Sequence, residues 1–275
     1  EERRLEIGGV IASLLKKGQS VYQIMTSHSH EIGLSSRCLY SYIEMGVFKD
    51  FGVDNFSLKE VVNRKPFHSK YKARKEPAVY TCHKYEDYLA FCEQAPHALT
   101  TEMDTVYNDP SGPYIQTFFF EGTGFMLGFL HREKTSASMS ATLDTLQEQL
   151  GDELFRNLFS LLLTDRGSEF EKVLLFETNT RSGTGEIRLN IFYCDPMQSA
   201  QKPHVENNHN FIRDIVPNGY PLTNLTQADL DLMFSHINST PRKSLNGKTP
   251  YEAFSFLFGS DTARKLNIAP IERDK

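Results

Sequence analysis

Three strand-patterned segments follow one another between Leu99 and Leu130 with only tight turns between them, and this run constrains everything that follows it. TEMDTVYN alternates, with Thr101, Met103 and Thr105 on one face and Glu102, Asp104 and Val106 on the other. Asp109-Pro110-Ser111-Gly112-Pro113 is a turn cluster, Tyr114–Phe120 a second strand, Glu121-Gly122-Thr123-Gly124 a hairpin loop, and Phe125–Leu130 the return strand. A three-stranded meander leaves an apolar face that further elements must cover. The chain supplies them in alternation. Met139, Leu143, Leu146 and Leu150 give 136–150 a helical period, Phe159–Thr164 reads as a buried strand, and a helix begins in Phe170–Phe176. Ile187–Tyr193 is another strand and Val205–Ile215 another helix.

A meander followed by strand-helix alternation predicts an α/β mixed sheet flanked by helices, in the order of the ribonuclease-H-like fold. The polar insert Thr178–Glu186 reads as a loop between the last helix-strand pair. Beyond it, Thr226-Gln-Ala-Asp229 and Thr249-Pro250-Tyr251-Glu252 are capping boxes that open helices over 227–238 and 250–258.

The first 48 residues have a different character. Ile7, Val10, Ile11, Leu14 and Leu15 mark one helix ending at Gly18, Ser20 caps a second from Val21 to about Ser27, and Leu34-Ser35-Ser36 leads into a third running to Gly46. Three short helices with a Gly-containing turn before the last form a helix-turn-helix candidate. In that reading Ser36, Arg37, Tyr40 and Ser41 face outward from the recognition helix. The same pattern also fits a plain three-helix bundle. The expected organisation is therefore a helix-turn-helix domain over 1–48, a basic linker with a short helix over 49–98, a ribonuclease-H-like core over 99–220 and a C-terminal helical extension over 221–275.

Charge divides the chain in the same way. Net charge is −5, yet residues 1–80 hold 13 Lys and Arg against 9 Asp and Glu, and residues 81–275 hold 17 against 26. The run RKPFHSKYKARK carries six of these bases, Arg64, Lys65, Lys70, Lys72, Arg74 and Lys75, with no acid. Such a run is a solvated linker or an electrostatic footprint for double-stranded DNA. No apolar run approaches the ~18 to 20 residues of a membrane span, so no membrane partner is expected. The chain opens on Glu1 rather than Met, which points to a trimmed N-terminus. Cys38, Cys82, Cys92 and Cys194 form no Cys-x-x-Cys pair, which argues against a zinc ribbon or disulfide framework and for a cytoplasmic setting.

Three acids stand where acids are costly. Asp104 is mid-strand, Asp165 closes an apolar strand before Arg166-Gly167, and Glu206 lies near the start of a helix. If the first and fourth strands are neighbours, Asp104 and Asp165 come side by side and the helix can bring Glu206 over them. Gathered carboxylates repel unless a cation neutralises them, and hard oxygen donors suit Mg²⁺ or Mn²⁺. Two such ions about 3.5–4 Å apart serve phosphoryl transfer. Arg213 lies seven residues after Glu206, on the same helical stripe, with Lys202, His209 and Asn210 near it. Lys202, Asn210 and Arg213 are candidate contacts to DNA phosphates. Taken singly, Asp165 also fits a helix cap and Glu206 a surface glutamate.

The motifs TEMDTV, LTDRGSEF, FYCDP followed by QKPHVENNHNFIR, and PRKSLNGKTPYEAF resemble the insertion-sequence transposases of the IS-thirty type, as does the upstream LSSRCLYSYIEMG. The resemblance runs over nearly the whole chain in the family's order. It implies a D-D-E catalytic core of Asp104, Asp165 and Glu206, which hold Mg²⁺ or Mn²⁺, with Arg213 as the basic residue after the Glu. It also implies cleavage at the element's ends, joining of the 3′-hydroxyl to target DNA, action as a homo-oligomer on DNA, and a bacterial, nucleoid-associated setting. The chain departs from the family in having no Trp and in the 40 residues separating Asp165 from Glu206, which the insert accounts for. Two alternatives stay open: a non-transposing nuclease of the same fold, and a DNA-binding regulator with a silent core.

Overall fold

The computed structural model describes residues 2–54, 57, 58, 80–179, 183, 185–196 and 198–272, without the side chains of Glu2, Arg4, Ser199, Glu206 and Asn207. The basic run Arg64–Lys75 and most of the central part of the Thr178–Glu186 insert lie outside the described residues. The chain divides into two compact units, Glu1–Lys70 with Thr240–Lys248, and Tyr71–Ser239 with Thr249–Arg273.

In the first unit, helices α1 (Glu2–Lys16), α2 (Val21–Ile32) and α3 (Ser36–Glu44) bury Ile11, Leu14, Val21, Ile24, Leu39 and Ile43 together with Phe48. Ser20 and Gln23 form a reciprocal capping box at the start of α2, and the Ser35 hydroxyl accepts from the Cys38 N–H to cap α3. Gly33, at φ 63°, ends α2 in the left-handed region that side chains avoid, and its N–H bonds Ser29 O. Helix α2 runs five residues past the expected Ser27. The segment TSHSHEI has no apolar period, but Ile32 is fully buried and draws the helix on through a non-helical His28.

The second unit is built on a five-stranded sheet of order β3-β2-β1-β4-β5. Its strands are β1 (Thr100–Tyr107), β2 (Tyr114–Phe120), β3 (Phe125–His131), β4 (Leu161–Thr164) and β5 (Asn190–Tyr193). The meander pairs antiparallel, while β4 joins β1 and β5 joins β4 in parallel. That order and sense are those of the ribonuclease-H-like fold. All seven residues of β2 are buried, because both faces of the sheet are covered.

Helices α5 (Ser136–Leu150) and α6 (Asp152–Phe159) cover the face of Thr101, Gln116 and Phe118. Gln116 donates to Met139 O, Thr101 to Leu158 O, and Phe118 meets Phe159 edge-on at 5.5 Å. Helix α10 (Pro250–Phe258) joins this face by stacking Phe254 on Phe125, 4.0 Å between centroids. The opposite face, with Glu102, Asp104 and Thr117, receives α8 (Pro203–Ile215) and α9 (Gln227–Asn238). Gly128 lets α9 approach: a Cβ there would lie 1.8 Å from the buried Phe234 ring. The Gln227 and Asn238 side chains then bond the outer backbone groups of Met126, Gly128 and Leu130, so the edge of β3 is closed by side chains.

Three local differences separate the structure from the sequence expectation. Phe159 is not a strand residue; it completes the stripe Phe155, Leu158, Phe159 of α6, an eight-residue helix too short to stand out by period alone. Phe170 falls in a 3-10 turn, Ser168–Phe170, and helix α7 spans only Val173–Glu177. Ile187 makes an isolated bridge to Thr178 and is 63% exposed, so β5 begins at Asn190, where burial begins. A last helix, α11 (Ser260–Lys265), follows α10; α4 (Tyr85–Gln94) matches the short helix expected before the sheet.

Candidate active site

The parallel register Thr100↔Leu161 through Met103↔Thr164 puts the next residue of each strand, Asp104 and Asp165, beside one another. The Thr164 hydroxyl ties the two strands there by donating to Met103 O at 3.0 Å. Backbone donors orient both carboxylates: Asp104 Oδ1 accepts from Thr105 N–H at 2.8 Å and Asp165 Oδ1 from Gly167 N–H at 3.1 Å. Arg166 fastens the exit of β4 to that of β5 by donating to Cys194 O and pairing with Asp195.

A positive charge already stands between these acids. Lys202, 3% exposed, holds its Nζ 3.2 Å from Asp104 Oδ2 and 3.1 Å from Met103 O. Burial works against its ammonium, but Asp104 and Asp165 outweigh burial and raise its pKa. Asp165 keeps an accessible edge, yet crowding by protein atoms raises its carboxyl, with the Asp104 charge adding to the shift and Lys202 opposing it. On the far side of Asp104, His209 Nε2 meets Thr117 Oγ1 at 3.0 Å. Burial pushes the His209 imidazole down to about 4, so it is neutral at physiological pH.

Two acids that the sequence reading did not single out flank this pair. Glu169 is almost fully buried, pairs with Lys134 at 3.1 Å, and adds its charge to the field on Asp165. Its place in a 3-10 turn gave no period to read. Glu102, 0% exposed, accepts the Val205 N–H on Oε2 at 2.6 Å. This supplies the cap that α8 lacks, since its N-cap residue Lys202 sends its own side chain to Asp104. Burial raises the Glu102 carboxyl to about 7. A mid-strand Glu two residues before a mid-strand Asp was the available signal.

Of the remaining candidates, Glu206 lies in the first turns of α8, and its side chain is outside the described residues. Arg213 is half-buried and donates to Asn108 Oδ1 and Tyr107 O at the end of β1, while Asn210 is exposed. Lys202 points into the carboxylates rather than along the outer stripe with Asn210. In the first unit Ser36, Arg37 and Tyr40 are exposed on α3 and Ser41 is half-buried. The bases of Arg64–Lys75 lie outside the described residues. Among those described, no helix is long and apolar enough to cross a membrane.

No family model matches the chain. By sequence it is similar to the transposase InsI of insertion sequence element IS30A from Escherichia coli, 33% identical over 121 residues, 44% of this chain and 29% of that protein. It is also similar to the transposase of element IS1086 from Cupriavidus metallidurans, 30% identical over 74 residues, 27% of this chain and 22% of that one. The aligned part is thus shorter than the near-complete resemblance read from the motifs, and the chain spans less than a third of the curated relatives it matches. Among solved structures, the catalytic core domain of BIV integrase is 17% identical, with 61% of this chain and 98% of that one covered at a TM-score of 0.41. The fold assignment rests on strand order and sense, not on that overlay. With the motifs in order and this identity to IS30A, the chain is similar to the insertion-sequence transposases of the IS30 type.

Proposed function

We propose that this chain is the D-D-E polynucleotidyl transferase of an insertion sequence, cutting the element's ends and joining the freed 3′-hydroxyl to target DNA. The observation that carries the reading is the adjacency of Asp104 and Asp165 at the register of two parallel strands, in a chain related to transposases. Asp104, Asp165 and Glu206 are the catalytic residues of this reading and would hold the metal.

The donor set fits a hard divalent cation. Asp104 and Asp165 offer carboxylate oxygens beside each other, and the Lys202 ammonium already balances charge at that place. Mg²⁺ or Mn²⁺ bound there supplies Lewis acidity to a phosphodiester and lowers the pKa of the attacking hydroxyl. The protein's own contribution is positional. Thr105 and Gly167 N–H groups fix the two carboxylates, and Glu102 fixes the first turn of the helix that carries Glu206. Neutral His209 borders Asp104 without adding a charge. The outward α3 residues Ser36, Arg37, Tyr40 and Ser41 would read the element's end, with the Arg64–Lys75 run, Asn210 and Arg213 on phosphates. Double-stranded DNA is the partner in this reading, bound by a homo-oligomer that works in the bacterial cytoplasm.

The test is nicking of supercoiled plasmid with Mg²⁺ or Mn²⁺ by the wild type and by Asp165→Asn. Nicking that needs the metal and vanishes in the variant, with DNA binding retained, is the expected outcome. Equal loss of nicking and binding would remove Asp165 from the chemistry, and joined products separate transposition from plain hydrolysis.

A further inference from the structure

The face of the sheet that receives α8 holds a second group of metal-ligand atoms, two residues back along β1 from Asp104. Glu102 of β1, Glu121 just after β2 and His204 in the first turn of α8 each bring one ligand atom within 4.8 Å of the others. Glu102 is 0% exposed, and its Oε1 has no hydrogen-bond partner, while Oε2 is taken by the Val205 N–H. A buried carboxylate oxygen left unpaired beside a second carboxylate is costly unless something positive meets it. The neighbouring groups supply it only in part: the Val205 and His204 N–H groups face the carboxylate, while the Lys202 ammonium acts on it from its place against Asp104 and Met103 O. The His204 ring is set by stacking on Phe119, with centroids 5.5 Å apart and planes 8° from parallel.

We propose that Glu102, Glu121 and His204 form a structural site for a divalent transition metal of the Zn²⁺ type, separate from the Asp104–Asp165 pair. An imidazole among the donors favours Zn²⁺-like ions over Mg²⁺, and two carboxylates with one imidazole leave a fourth position for water. Ligand atoms around a tetrahedral ion with ~2.0–2.1 Å bonds stand about 3.4 Å apart, so closing the group asks for side-chain movements on the order of 1 Å at the half-buried Glu121 and the exposed His204. The three ligands come from β1, the β2–β3 connection and the first turn of α8. A bound ion would therefore pin the start of the helix on which Glu206 follows two residues after His204. The site stands on its own geometry and does not require the transposase reading.

The experiment uses the full chain carrying Asp165→Asn, which disables the neighbouring carboxylate pair. Zn²⁺ binding is measured by equilibrium dialysis in excess Mg²⁺, and Co²⁺ serves as a spectroscopic probe through its visible absorption. One equivalent of Zn²⁺ that displaces Co²⁺, with affinity weakened at least about tenfold by adding His204→Ala, is the expected result. Zn²⁺ should also raise the unfolding midpoint of the Asp165→Asn protein, and not that of the His204→Ala double variant. His204 is exposed, so its replacement preserves the fold, and circular dichroism checks this. No stoichiometric Zn²⁺, or binding indifferent to His204→Ala, would overturn the site and leave Glu102 and Glu121 sharing a proton.

Discussion

Strand β1 carries two carboxylates on one face, two residues apart, and the fold treats them in opposite ways. Asp104 meets a buried ammonium and keeps part of its surface open. Glu102 is sealed in, meets the N–H groups of a helix start, and faces another carboxylate. The first arrangement balances charge at a place that a cation and a substrate can reach. The second leaves an oxygen unmatched where only a small ion or a proton can enter. Two acids of the same strand thus differ in purpose because one neighbour is Lys202 and the other is Glu121.

The largest effect expected from breaking this contrast is on chemistry. Asp165→Asn should lower metal-dependent nicking by more than about 1,000-fold, a change of roughly 4 kcal/mol in barrier. Urea midpoints of the same variant should move little. Next comes Lys202→Met, which strands Asp104 beside Asp165 without a counter-charge. Denaturant unfolding should show a loss on the order of 3 kcal/mol, as for a broken buried pair. The loss should be much smaller when Asp104→Asn is combined with it, and strict additivity would show that the two do not act as a pair.

A histidine away from both acids separates their acid sensitivity from that of the rest of the sheet. His131 is buried among Gln116, Ser138 and Thr142, and burial pushes its imidazole down to about 4. In the unfolded chain it takes up a proton near its ordinary value of about 6.5, so between those values the unfolded state binds more protons. Its contribution is complete above about 6.5 and fades as the pH falls toward 4, to a total of about 3 kcal/mol. His131→Gln should flatten that part of the stability profile. An unchanged slope would assign it to other groups.

Smaller still is Glu102→Gln, which keeps an oxygen for the Val205 N–H and removes the carboxylate clash. A change within about 1 kcal/mol is expected by chemical denaturation. A loss as large as that of Lys202→Met would end the contrast between the two acids. The smallest effect on stability belongs to the other unit. Tyr40→Ala, at a 47% exposed position, should stay within about 0.5 kcal/mol while weakening binding to the element's end in a mobility-shift assay.

Much of this architecture could be read in the residues. The meander was visible because turn clusters bracket alternating or aromatic runs, and the capping boxes at Thr226 and Thr249 marked helix starts to the residue. Helix α6 was hidden because eight residues give barely two turns of period, and its Phe159 looked like the head of the next strand. The length of α2 was hidden for a related reason, since a polar segment has no stripe to follow. At the candidate site, strand-centre acids drew attention to Asp104, and the exit after LLLT drew it to Asp165. The roles of Lys202 and Glu102 were not legible, because each is defined by a partner far along the chain: Lys202 by Asp104 and Glu102 by Val205, separated by about 100 positions.

What the sequence determined by itself is the order and kind of elements, since these follow from local periods, caps and turns that neighbouring residues carry. It also determined that one acid stands inside a strand and another directly follows one. Only the tertiary structure decided which acids are neutralised and which are not. Burial, register and the approach of α8 are collective properties, and a carboxylate's state depends on the charges and dipoles that come within a few ångströms of it, from wherever in the chain they arrive.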